Sequence, residues 1–145
     1  MLNSDKRERE SVDLFVEQFW KQGFMTVSRR FGTYLPEPDK VGNFEVDIVA
    51  RQKKSYAIGI ILSENDFNDP ELVKRITFLA SRQTRYTNKP VLLFIGVNSK
   101  YFKNAKSFIE LLGPEVKKNI RLVQINERPL VTSQNLVNKR NILFS

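Results

Sequence analysis

The sequence predicts an α/β domain with a mixed central sheet flanked by helices, in the order helix, three strands, helix, strand, helix, strand. Three observations carry this. Apolar residues recur at helical spacing in three segments and alternate or run together in five others. The second and third strand segments are joined by a short polar connection, Arg51-Gln52-Lys53-Lys54-Ser55, which makes them a hairpin. The helix after them is long enough to cross over and lead into a fourth strand, and 145 residues suit one domain with one sizeable core.

Each element has its own signal. Residues 5–22 form the first helix: Val12, Phe15, Val16 and Phe19 share a face, Ser4 caps the start and Gly23 ends it. Residues 24–31 make a strand, with Met25, Val27 and Arg29 alternating against Thr26 and Ser28. Gly32, Pro36, Pro38 and Gly42 make 32–43 a loop, and strands follow over 44–50 and 56–62. Asp69-Pro70-Glu71 starts the second helix with a capping oxygen, a proline at the first position and an acid in the first turn. On it Leu72, Val73, Ile76, Leu79 and Ala80 share the core arc, and Lys74, Arg75, Arg82 and Arg85 fall opposite.

Lys89-Pro90 breaks the chain before a central strand at 91–97. Asn98-Ser99 caps a third helix over about 100–112, striped by Phe102, Ala105, Phe108 and Leu111 or Leu112. Gly113-Pro114 stops it, and 120–125 is the last core strand. Residues 1–126 are thus a single domain, with 127–145 a C-terminal arm or short helix.

Composition narrows the chemistry. There is no cysteine and no histidine. Disulfides, thiolate zinc sites, cysteine nucleophiles and every imidazole acid–base scheme are excluded. Catalysis would run on carboxylates, Lys, Arg, Tyr and hydroxyls, with a hard metal held by oxygen ligands. The formal net charge is +8, and it is unevenly placed. Residues 1–75 carry 12 basic and 13 acidic side chains, whereas residues 76–145 carry 12 and 3. A basic half suits a polyanion such as nucleic acid, the plain alternative being a soluble basic protein. The longest apolar run, Val91-Leu92-Leu93-Phe94-Ile95, is far short of the roughly 20 residues that span a membrane. The start is polar, and the expected location is cytoplasmic.

The hairpin residues then matter most. Gly23-Phe24 followed by a strand with Arg29, and Glu45-Val46-Asp47-Ile48-Val49-Ala50, resemble the first two blocks of the restriction-endonuclease-like superfamily. Archaeal Holliday-junction resolvases and related small DNA nucleases look most similar, over about residues 7–125. The resemblance implies a first-helix acid, a strand Asp and a Glu-x-Lys on the next strand, with carboxylates holding Mg²⁺ at the scissile phosphate. Asp47 takes the place of the strand Asp, but the Glu position is Gly59 and the Lys position is Ile61.

Alternation places Glu45 and Asp47 on one strand face, and Gly59 and Ile61 together on the next strand, facing Asp47 in the family's register. Glu8 lies in line with Val12, Phe15 and Phe19 and so points toward the sheet, the alternative being a first-turn acid favoured by the helix dipole. Asp47, Glu45 and Glu8 are therefore the candidate metal ligands, for no metal or a weakly held Mg²⁺. For Asp47 the structural alternative is a strand-end carboxylate paired with Arg or Lys. If activity survives, Asp47, Glu8 and a migrated Lys74 are the candidate catalytic residues, with Glu64 replacing the lost Glu. Arg29, Arg30, Lys53, Lys54, Lys74, Arg75, Arg82 and Arg85 are the candidate nucleic-acid contacts, with Phe31, Tyr34 and Tyr86 available to stack on bases.

The expectation is a nucleic-acid-binding protein, DNA in the first instance, with a decayed nuclease site. The alternatives are an active Mg²⁺-dependent endonuclease with a rearranged site and a protein-interaction scaffold. The resolvase likeness makes a homodimer an expectation as well.

Overall fold

The chain is described by a computed structural model covering residues 2–126, so the stretch 127–145 lies outside the described residues. Helix α1 (Leu2–Lys21) buries Val12, Phe15 and Phe19. It starts earlier than the sequence predicts, so Ser4 lies within the helix and does not cap it. Its end is as expected. Gly23 takes φ +85, the Phe24 N–H donates to the Phe19 carbonyl and the Gly23 N–H to the Trp20 carbonyl. This closing pair of bonds needs a residue free to be left-handed, and it seats the Phe24 ring 6.3 Å from that of Phe19.

The sheet has five strands in the order β1-β2-β3-β4-β5: β1 (Met25–Arg29), β2 (Ile48–Gln52), β3 (Ser55–Leu62), β4 (Leu92–Val97) and β5 (Ile120–Gln124). The first three pair antiparallel, and β3, β4 and β5 pair parallel, so the sheet is mixed. Helix α3 (Leu72–Ala80) crosses between β3 and β4, and α4 (Phe102–Glu110) between β4 and β5. Two short helices that the sequence reading lacks, α2 (Glu64–Phe67) and α5 (Pro114–Lys117), complete the connections.

Two cores sandwich the sheet. On one face α1 packs Phe15 and Phe19 against Ile48, Ala50, Ala57 and Phe94, with the Phe19 and Phe94 rings stacked at 4.3 Å. On the other, Leu72, Ile76 and Leu79 of α3 and Ala105 of α4 cover Ile58, Ile60, Leu93 and Ile95. None of the described helices is long and apolar enough to cross a membrane.

Three boundaries depart from expectation, and each moves a candidate residue. Strand β2 begins at Ile48 and not at Phe44. Val46 belongs to the α3-side core, whereas Ile48 and Ala50 belong to the α1-side core, so alternation breaks at Asp47. The single face shared by Glu45 and Asp47 is lost with it. Strand β1 is shorter than 24–31 and carries an irregularity between Thr26 and Ser28, which leaves Met25 and Val27 exposed. Helix α3 starts at Leu72 and stops at Ala80, so Arg82 and Arg85 leave the helix. Side chains end it: Ser81 Oγ donates to the Thr77 carbonyl, Arg82 Nε to that of Phe78, and Asn119 Nδ2 to that of Ala80.

Candidate functional site

Two hollows lie at opposite ends of the β2–β3 hairpin. The first, of about 390 Å³, opens where β2 begins and β3 ends, and Glu8, Arg30, Glu45, Asp47, Asp66 and Arg75 line it. Asp47 organises it. Its backbone N–H donates to Gly59 and its carbonyl accepts from Arg30, so the main chain is still paired on both sides. Beyond that point the strands diverge, and the Asp47 carboxylate takes the Ile61 N–H at 2.8 Å in place of a ladder carbonyl.

Its other oxygen accepts from Arg30 at 3.0 Å, and Arg30 also reaches Glu8 at 3.1 Å. Arg30 thus bridges the helix acid and the strand acid. Partial burial opposes its charge, but the hydrogen bond and attraction from Asp47, joined by Glu8, outweigh that and raise its pKa above the ordinary arginine value. It is a permanent cation at the centre of the hollow. The Phe31 ring lies 4.8 Å from the same guanidinium, which takes Phe31 out of the set of base-stacking candidates.

The remaining candidates for catalysis are placed elsewhere. Glu45 is exposed at the rim. Glu64 accepts from the Tyr101 hydroxyl at 3.2 Å and lines a neighbouring hollow. Lys74 has a side chain 77% exposed and sits 3.9 Å from Glu71, so it does not reach over the sheet. Arg75 does turn inward, and meets Asp66 at 3.5 Å. Asp66 is a lining carboxylate that sequence reasoning missed. Its signal was Ser63-x-x-Asp66, because Asp66 accepts the Ser63 N–H at 2.7 Å to open α2.

These residues do not fit a Mg²⁺ site. Among the described residues no three carboxylates converge as a metal cluster, and Glu8 and Asp47 hold a guanidinium between them. The position where the resemblance expects a third carboxylate is closed by packing. Gly59 pairs with Ile48, and a Cβ there would lie 2.8 Å from ring atoms of Phe15 and Phe19. The glycine is required by aromatic packing of α1 on the sheet.

The second hollow is an open groove of about 710 Å³ at the turn end of the hairpin. The turn is two residues, Lys53-Lys54, because Gln52 pairs with Ser55 and Arg51 with Tyr56. Arg51 and Tyr56 therefore sit side by side, on the face that Val49 and Ile58 share with α3. Helix α3, nine residues and about 13 Å long, stops short of them. The chain from Arg82 to Val91 forms the far wall, bringing Arg82 and Arg85 opposite Lys53 and Lys54. Among the described residues no acidic side chain lines the groove, and none of its five basic side chains is ion-paired.

The eight basic candidates thus divide. Lys53, Lys54, Arg82 and Arg85 meet in the groove, joined by Arg51 and Tyr56, which sequence reasoning did not single out. Arg29 pairs with Asp13, Arg30 with Glu8 and Asp47, Lys74 with Glu71 and Arg75 with Asp66, so all four face this chain's own acids. Tyr86 lines the groove, and Tyr34, 96% exposed, does not. Tyr56 and Ile61 lie five positions apart on β3, roughly 16 Å, while the apolar floor of the groove reaches Val49 and Ile58, two and three positions from Asp47 and Ile61.

Comparison with known proteins finds no matching family model, no matching curated protein and no matching solved structure. What the chain does is to be read from its own side chains.

Proposed function

We propose that this chain is a nucleic-acid-binding domain of restriction-endonuclease-like fold whose former cleavage centre has become a structural ion-pair site. The order of its main elements, the hairpin carrying Asp47 and the crossover through α3 support the fold likeness. The observation that carries the binding function is the groove: Arg51, Lys53, Lys54, Arg82 and Arg85 converge with no acid among the described lining residues. Such a cluster repels itself unless a polyanion neutralises it. Lys53 and Lys54 stand at the turn end of the hairpin, six or more strand positions from Asp47, which supports binding without cleavage because phosphates held by them are away from the carboxylates. Arg30 and the ring packing at Gly59 support the same conclusion from the other end of the sheet.

The test is a salt titration of binding to labelled oligonucleotides, followed by fluorescence anisotropy. For duplex DNA, log affinity should fall with log salt by about 0.9 per phosphate neutralised. Lys53, Lys54 and Arg85 are exposed, so the triple alanine variant should fold normally, bind more weakly and give a shallower slope. Wild-type protein that binds no nucleic acid at low salt, or a variant that binds as well as wild type, would overturn the proposal. Cleavage by wild-type protein with Mg²⁺ that vanishes in Asp47→Ala would instead establish the endonuclease reading.

A further inference from the structure

We infer that the groove takes unpaired bases of a single-stranded nucleic acid, stacked on Tyr56 and Tyr86, with its cations on the adjoining phosphates; this rests on the nucleic-acid reading above. The floor and the rim of the groove differ in chemistry. Val41, Val49, Ile58 and Val91 line it with apolar surface, which suits a base and not a phosphate. Lys53, Lys54, Arg82 and Arg85 supply the charge around it. Tyr56 rises from the floor at 37% exposure, and Tyr86 is 89% exposed on the wall. Large aromatic surfaces left open beside cations are the recurring means of holding a single strand, since every base has a face to stack. In a duplex those faces are already stacked on one another. At about 710 Å³ the groove has the size of a small-ligand site, enough for a nucleotide or two and not for a helix.

The walls are held in place before any ligand arrives. Val91 N–H donates to the Arg82 carbonyl, Thr84 N–H to that of Lys89, and Asn88 N–H to that of Thr84. The Thr84 hydroxyl accepts the Lys89 N–H at 3.0 Å and bonds the Thr87 hydroxyl. Tyr86 is therefore carried on a loop whose base is closed by hydrogen bonds on both sides. Arg82 lies 3.7 Å over the Phe78 ring while its Nε is bonded, so its guanidinium is oriented. On the opposite wall Lys53 takes φ 54 at the first turn position, where glycine or asparagine is the ordinary choice. A lysine kept in a left-handed conformation at the mouth of a cationic groove is strain retained beside a binding surface.

The experiment compares labelled oligothymidine, oligouridine and a duplex of mixed sequence against wild-type protein, Tyr86→Ala, Tyr86→Phe and the Lys53, Lys54, Arg85 triple alanine variant, at one low salt concentration. Tyr86 is surface-exposed, so its variants fold. Single strands should bind at least roughly tenfold tighter than duplex, and Tyr86→Ala should weaken them by roughly 5- to 150-fold while Tyr86→Phe retains affinity. Tighter binding of oligouridine or of oligothymidine assigns RNA or DNA as the strand. If duplex binds as tightly as single strands and only the charge variant weakens it, the stacking inference fails and the nucleic-acid reading stands. If no nucleic acid binds, both fail. Displacement of the strand by polyglutamate at equal charge concentration would overturn the inference in favour of an acidic peptide.

Discussion

Asp47 and Gly59 are held in place by contacts that belong to the fold itself. Asp47 closes the open end of the β2–β3 ladder through Ile61 and holds Arg30, so its loss leaves a half-buried N–H without its partner. Asp47→Ala should destabilise the fold by about 1–3 kcal/mol, most of it from that unsatisfied donor, because Arg30 is 41% exposed and its pairing is screened. Asp47→Asn keeps an oxygen for Ile61 and should lose less than about 1 kcal/mol. Urea unfolding of the two variants checks this, and an equal loss in both would place the weight on the charge and not on the ladder. Gly59→Ala sets a methyl group 2.8 Å from the Phe15 and Phe19 rings and should cost about 1–3 kcal/mol by overpacking, measured the same way. Gly59→Glu would push a charge into the aromatic core and could not be accommodated without repacking α1.

The helix α3 shows what a sequence reveals about an element and what it withholds. Its apolar arc was legible at Leu72, Ile76, Leu79 and Ala80, which are buried as the spacing requires. Val73, placed on the same arc, is 51% exposed because it lies at the edge of the stripe in the first turn. Leu72→Ala and Leu79→Ala should each lower unfolding free energy by about 2–5 kcal/mol, and a loss below about 1 kcal/mol at both would mean the helix does not pack as described. Its C-terminal end was not legible, since no Gly or Pro interrupts the pattern before Pro90. The stop is made by Ser81, Arg82 and Asn119 side chains on the last carbonyls, and Asn119 arrives from a distant part of the chain. The same limit applies to the site. Glu8, expected to point toward the sheet by its line with Val12, Phe15 and Phe19, lines the hollow of Asp47 but keeps its side chain 49% exposed. Arg30 was not placed, because the irregularity in β1 and the left-handed backbone of Phe31 decide where its side chain goes. Arg51 and Tyr56 were missed for a simpler reason: the connection was read as five residues, whereas the two-residue turn pairs them.

At the scale of the whole molecule, one sheet separates a neutralised end from an uncompensated one, and thermal stability reports on both. Anything that binds only the folded chain raises its stability by an amount set by concentration over Kd, about 2.7 kcal/mol at a hundredfold excess. Short oligothymidine should therefore raise Tm by several degrees at low salt and much less at high salt, where released counterions no longer favour binding. Millimolar Mg²⁺ at constant ionic strength should leave Tm unchanged. To bind at Asp47 it would have to displace the Arg30 guanidinium from two carboxylates and strip its own water for a site with too few oxygens. The two titrants can be read against one variant, Asp47→Asn, with each rise measured from that variant's own baseline. Its oligothymidine response should equal that of wild type, because the groove lies at the other end of β3. A Mg²⁺-dependent rise in wild-type Tm that Asp47→Asn abolishes would mean that Arg30 yields its place to a metal, and the carboxylate end of the sheet would have to be treated as a live site.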